Sequence, residues 1–260
     1  MAPRAVRIVV TRPAAEAERW TQALCEHGIE AHSLPLIDIA PLSDAAGLQA
    51  TWQGVPQHAA LMFVSANAVQ HFMAARPQGV TLDMQAWGTG PGTEAALRAA
   101  GWPAEHIRCP AADADKFDSE ALWALVQAEV RSWAGRSVLI VRGADAQGRL
   151  AGRDWLALQL QALGVQVHQC VAHVRRTPRL NAAQQALARC ALSDGSWWLF
   201  SSSEAAQNLA QLLPGAIGSA SLALATHPRI AQRLQQQGWG RVEVVPAALE
   251  AQIASIECLA

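Results

Sequence analysis

Short apolar and β-branched runs alternate along the whole chain with longer runs whose apolar positions recur every three or four residues. Short runs that are apolar throughout predict strands buried on both faces, and the longer spacing predicts amphipathic helices. The predicted strands are Val6–Val10, Ala31–Ile39, Ala60–Val64, Met84–Gly88, His106–Cys109, Ser137–Val141, Gln166–His173, Trp197–Phe200, Ser221–Ala225 and Arg241–Val245. Helical patterns between them include Ala14–His27, Ala66–Ala75, Thr93–Ala100, Ser119–Trp133, Asp154–Leu163, Asn181–Leu192, Glu204–Leu213, Arg229–Gln237 and Ala247–Ile256. Gly28, Gly101, Gly164 and Gly238 follow four of these patterns, where a residue at ease in the left-handed conformation closes a helix. Strands alternating with helices indicate an α/β protein, its parallel sheets covered by helices on both faces.

The pattern repeats. Phe63-Val64-Ser65-Ala66-Asn67-Ala68 matches Phe200-Ser201-Ser202-Ser203-Glu204-Ala205, and Thr89-Gly90-Pro91 matches Thr226-His227-Pro228. Gly101-Trp102 matches Gly238-Trp239, and Pro41 matches Pro178. All four pairs lie 137 residues apart, which indicates two copies of one βα fold. Val10-Thr11-Arg12 matches Ile140-Val141-Arg142 at the shorter offset of 130. The repeat fits two contiguous halves. It fits equally an exchange of the first βαβ unit, in which the chain leaves one domain near Pro35–Pro41 and returns near Val174–Pro178, and Leu34–Pro41 and Cys170–Pro178 become two side-by-side linkers.

Composition narrows the function classes. With 51% apolar residues and a mean hydropathy of +0.10, the chain of 260 residues can fill two cores. The net charge of −1 argues against nucleic acid as a partner, since nucleic-acid binders carry a basic excess. No apolar run approaches the ~20 residues that span a bilayer, and none reads as a signal peptide, so no membrane contact is expected. The five scattered cysteines form no C-x-x-C, and buried, reduced thiols in a cytoplasmic protein are the expectation. The chain has no tyrosine.

In such sheets ligands bind beyond the C-terminal strand ends, at helix N-termini. There the chain places Thr11-Arg12, Ser65-Ala66-Asn67, Gly88–Thr93, Arg142-Gly143, Ser201-Ser202-Ser203 and Thr226-His227-Pro228-Arg229. Each turn taken alone reads first as helix capping. Six of them paired over two sheets fit a cleft that takes an elongated anionic ligand. The Gly88–Thr93 turn lacks the Gly-Lys-Ser/Thr ending of a phosphate loop, and no His/Cys/Asp/Glu set has metal spacing. The densest basic cluster, His173–Arg179, offers arginine forks to carboxylates and reads equally as a solvated linker.

Several of these motifs are shared with a known family. Val10-Thr11-Arg12-Pro13, Phe63–Val69, Gly90–Thr93, Phe117–Leu122, Val141-Arg142-Gly143 and Ala225–Pro228 stand in the order of uroporphyrinogen-III synthases, which the chain closely resembles over nearly its full length. The resemblance implies two flavodoxin-like domains of exchanged connectivity: 1–38 with 177–260, and 39–176, joined by a two-stranded linker near 35–41 and 173–178. It implies hydroxymethylbilane, a linear tetrapyrrole bearing an acetate and a propionate on each ring, as substrate. The implied reaction loses the terminal hydroxyl as water, closes the macrocycle and inverts the last ring through a spiro intermediate to give uroporphyrinogen III. No cofactor is implied, and a monomer in transient contact with hydroxymethylbilane synthase is expected. Arg12, Ser65, Ala66, Asn67, Gly92, Arg142, Arg175, Ser202, Ser203, Thr226 and His227 are the expected substrate contacts, with Thr93 and His173 at the chemistry. The chain departs from the family pattern twice. His173 stands where a tyrosine is common, and Ile230 stands where the second copy would repeat Thr93. The rival reading is a non-catalytic bilobal binder of small anions.

Overall fold

The computed structural model describes residues 6–44, 46–114, 116–150 and 154–259. Its strands are β1 (Arg7–Val10), β2 (Glu30–Ser33), β3 (Asp38–Pro41), β4 (Ala60–Phe63), β5 (Gln85–Gly88), β6 (Ile107–Arg108), β7 (Ser137–Ala144), β8 (Gln166–Arg176), β9 (Trp197–Phe200), β10 (Leu222–Ala225) and β11 (Arg241–Val244). Its helices are α1 (Ala14–Glu26), α2 (Ala46–Gly54), α3 (Ala66–Ala74), α4 (Pro91–Ala99), α5 (Ser119–Val130), α6 (Trp155–Ala162), α7 (Ala182–Ala191), α8 (Ser203–Leu212), α9 (Pro228–Gln236) and α10 (Leu249–Glu257). Among the described residues no helix is long and apolar enough to cross a membrane.

Contacts divide the chain into one unit of Met1–Asp38 with Arg176–Ala260 and another of Ile39–Arg175. The first holds a five-stranded sheet in the order β11-β10-β9-β1-β2. The second holds the order β3-β8-β7-β4-β5-β6. Setting β7, β8, β4, β5 and β6 against β1, β2, β9, β10 and β11 makes the two orders coincide, with β3 added at one edge. This is the flavodoxin-like order, built twice. In the first unit the leading βαβ comes from the N-terminus, whereas in the second it closes the unit as β7-α6-β8. The pairings of β1 with β2 and β9, of β10 with β9 and β11, and of β4 with β5 and β7 are all parallel.

Alternation along the central strands fills both faces. In the second unit Leu61, Phe63, Leu139 and Val141 face Phe72, Leu97 and Trp102, while Ala60, Met62, Val138 and Ile140 face Val126, Leu156 and Leu160. Trp52 stacks on Phe72 with ring centres 4.4 Å apart, and its indole N–H donates to the Phe72 carbonyl. In the first unit Ile8, Val10, Leu199 and Leu224 pack against Trp20, Leu24, Ile253 and Ile256. A fully buried side chain of this size contributes about 1.5–3 kcal/mol.

Three sequence expectations change. The single strand predicted over Ala31–Ile39 is two, β2 and β3. Pro35 between them has no N–H for a ladder and restricts the residue before it. Helix α2 is absent from the sequence pattern, because only Leu48 and Trp52 anchor it and two apolar positions make a weak period. The cysteines are not uniformly buried: Cys170 is, but Cys25, Cys190 and Cys258 are exposed on or at the ends of helices.

Candidate functional site

Register lines up the strand ends within each sheet. In the second unit Phe63 pairs with both Gly88 and Val141, so the turns after β4, β5 and the end of β7 stand side by side. The Thr89 hydroxyl donates to the Val64 carbonyl, tying the β5 turn to the β4 turn. In the first unit Val10 pairs with Leu199, and Phe200 with Ala225, so the turns after β1, β9 and β10 form the matching row.

Each turn then leads into a helix. Ser65 caps α3, its Oγ accepting from the Ala68 amide at 3.2 Å, with half-buried Ala66 and Asn67 in the first turn. Gly90, Pro91 and Gly92 open α4, and Thr93 in its first turn is 5% exposed. Gly88 packs closely here, since a Cβ on it would stand 3.0 Å from Thr93 Cγ2. The thiol of Cys109, at the end of β6, is hydrogen-bonded by the backbone of Gly90 and Glu94. Partial burial and the Glu94 carboxylate nevertheless push it up to about 11, so it is a half-buried neutral thiol rather than a nucleophile. Ser202 caps α8 through the Glu204 amide, and Ser203 is exposed beside it. Thr226 stays half-buried, its amide bonded to the Phe200 carbonyl.

Two more strand-end side chains are spent on structure. His227 caps α9, with Nδ1 accepting from the Arg229 amide at 3.1 Å. The Thr11 hydroxyl donates to the Leu199 carbonyl at 2.8 Å and is fully buried. Ile230, the counterpart of Thr93, is a buried apolar residue. The first unit therefore lacks the hydroxyl that the second has at this position.

Arg12 and Arg142 are built alike. Arg12 lies two residues past the end of β1 and Arg142 two residues before the end of β7, and each pairs with a carboxylate at the start of the next helix. Arg12 Nη1 donates to Glu16 at 3.1 Å while the guanidinium lies 3.8 Å over the Trp20 ring. Its Nε is buried without a partner. Burial lowers the Arg12 pKa, and Glu16 opposes that shift. Arg142, 2% exposed, donates from Nη1 to Asp154 at 2.9 Å. A guanidinium carries five donors in a fork, so one group can serve a structural carboxylate and a ligand at once.

The end of β8 is the most constrained point. Arg142 pairs with Val171, but Gly143 pairs with His173, so β8 carries one extra residue there. Such a bulge redirects the side chains that follow. Cys170 and Ala172 already face the α3 side of the sheet, and the bulge turns His173 to that side too. A Cβ on Gly143 would stand 2.5 Å from His173 Nε2. His173 is 2% exposed and its ring centre lies 5.4 Å from that of His71 on α3. Burial, then His71, then Arg175 push its pKa down to about 4, so it is neutral at pH 7. Arg175 is half-buried two residues further on.

Sequence reasoning missed His71, Trp20 and the carboxylates Glu16 and Asp154. The Arg12–Glu16 spacing of four was the one signal available, and the partner of Arg142 lies twelve residues away across a loop.

Comparison with known proteins agrees with the topology. A uroporphyrinogen III synthase structure from the extreme thermophile Thermus thermophilus matches with a TM-score of 0.58 at 14% identity, covering 98% of this chain and 99% of that one. The uroporphyrinogen-III synthetase structure from Helicobacter pylori 26695 matches with a TM-score of 0.57 at 15% identity, covering 98% and 100%. At these identities the likeness establishes the fold. The family model for uroporphyrinogen-III synthase HemD matches residues 18–252. The chain belongs to the uroporphyrinogen-III synthase family, cyclising lyases of tetrapyrrole biosynthesis.

Proposed function

We propose that the protein binds hydroxymethylbilane through the strand-end turns of its two sheets and cyclises it, with inversion of the last ring, to uroporphyrinogen III. The observation that carries this reading is the repeated row of donors. Helix N-termini at Ser65, Gly90, Ser202 and His227, with the guanidinium groups of Arg12, Arg142 and Arg175, recur over two sheets of one topology. Amides at helix N-termini and arginine forks suit carboxylates, and a substrate with two carboxylates on every ring offers them along its whole length.

The chemistry asks little of a titrating side chain. Departure of the terminal hydroxyl, pushed out by its own pyrrole nitrogen, leaves an electron-poor azafulvene that reacts readily. What remains is to hold a flexible chain so that its ends meet, and orientation of this kind accounts for several kcal/mol of a barrier. Thr93 offers a hydroxyl among the donors after β5. His173, neutral and buried, serves as a hydrogen-bonding point rather than as the acid that protonates the leaving hydroxyl. We place the protein in the cytoplasm as a monomer, receiving substrate from hydroxymethylbilane synthase.

The test is to supply enzymatically made hydroxymethylbilane and to separate the type I and type III products. The type III isomer is expected. Type I alone, which forms without an enzyme, would leave the anion-binder reading.

A further inference from the structure

His173 is held by packing. Its Nδ1 is buried with no hydrogen-bond partner, so no hydrogen bond at that nitrogen orients the ring. Two neighbours confine it. One is Gly143, where any side chain would overlap Nε2. The other is His71, in the last turn of α3, whose ring plane is inclined by 32° to that of His173 at a centre distance of 5.4 Å. The bulge between Arg142 and Gly143 is what points His173 at His71 in the first place. Nothing in the motifs that carry the family resemblance assigns a role to His71.

We propose that His71 is a positioning residue, whose ring holds the His173 ring in one orientation at the end of β8, so that the substrate meets a fixed imidazole there. The inference rests on the reading of these strand ends as the substrate site.

The charges around the pair point the same way. His71 from α3 and Arg175 from β8 itself oppose a proton on His173, and the residue facing it from β7 is uncharged Gly143. Burial also lowers the pKa of His71. Two neutral rings can lie face to face, whereas two imidazolium rings repel. The arrangement therefore belongs to neutral pH and loosens in acid.

The test follows the His173 ring by NMR titration, and turnover against pH, in the parent, His71→Phe and His71→Ala. Phenylalanine keeps an aromatic ring against His173 but removes a titrating neighbour, and alanine removes both. The His173 midpoint should rise from about 4 toward the ordinary histidine value of 6.5 in both variants, further in the alanine variant. The acid limb of turnover should move with it. In His71→Ala, kcat should fall about threefold, within the loss of at most about tenfold expected of His173→Phe, with KM within about twofold, and phenylalanine should restore part of the loss. An unchanged midpoint in both variants, or equal kcat in all three proteins, overturns the assignment. Absence of type III product from the parent overturns the proposed function instead, and the ring titration still decides the role of His71.

Discussion

Gly143 bears the tightest packing constraint in the candidate site. Gly143→Ala should push the His173 ring aside, lower stability by about 1–3 kcal/mol in urea denaturation and reduce turnover. Unchanged stability would mean that the ring moves freely, against its burial. His173 gives a second prediction. Its folded pKa of about 4 lies below its ordinary 6.5, so the unfolded chain takes up a proton first as pH falls. Its contribution to stability is whole above pH 6.5 and is lost as pH falls toward 4, by about 3 kcal/mol at most. His173→Phe should flatten the fall in unfolding free energy over that range, and should keep about a tenth or more of parent turnover, since a lost general acid costs 10²–10⁴-fold. Thr93 separates packing from chemistry. Thr93→Val keeps the methyl against Gly88 and should lose turnover with stability intact, whereas Thr93→Ser keeps the hydroxyl and should lose stability instead. Sequence pointed to His173 and Thr93 as candidates, and the structure places both near strand ends of the second sheet. The neutrality of His173 was not legible, because strict alternation along β8 hides a one-residue bulge.

At the scale of elements, helix ends were the clearest signal. Gly28, Gly101, Gly164 and Gly238 all take positive φ, between 75° and 91°, directly after the predicted helical runs. Helix starts were legible as caps but ambiguous as ligand sites. Ser65 and Asn181 make that ambiguity testable. Both cap helices, Ser65 by accepting from Ala68 and Asn181 through a reciprocal pair with Gln184. Replacing either by alanine should cost about 1 kcal/mol of stability. Only Ser65→Ala should also raise KM for hydroxymethylbilane. Equal KM in both variants would reduce the Ser65 turn to a cap. The elements that sequence misjudged have local causes that hydrophobic periodicity does not record. Helix α2 has only Leu48 and Trp52 as buried anchors, and the break between β2 and β3 falls at Pro35, which lacks the N–H a strand ladder needs.

At the scale of the molecule, the internal repeat carried most of the information. One offset of 137 residues joined β4, α3, β5 and α4 to β9, α8, β10 and α9, and the shorter offset joined β1 to β7. Those correspondences are the ones that make the two sheet orders coincide. Which strands belong to which sheet was not legible from the repeat, because contiguous and exchanged halves contain the same copies. Contacts group the first 38 residues with those from Arg176 onward. Site residues are less legible at this scale, since relatives at 14–15% identity share a backbone path and few side chains. The family's reaction is therefore the claim most worth measuring on this chain. Freshly made hydroxymethylbilane, incubated with the protein and resolved by isomer after oxidation to porphyrins, should give predominantly the type III product at a rate proportional to protein concentration. A product that is type I at every protein concentration would contradict the account.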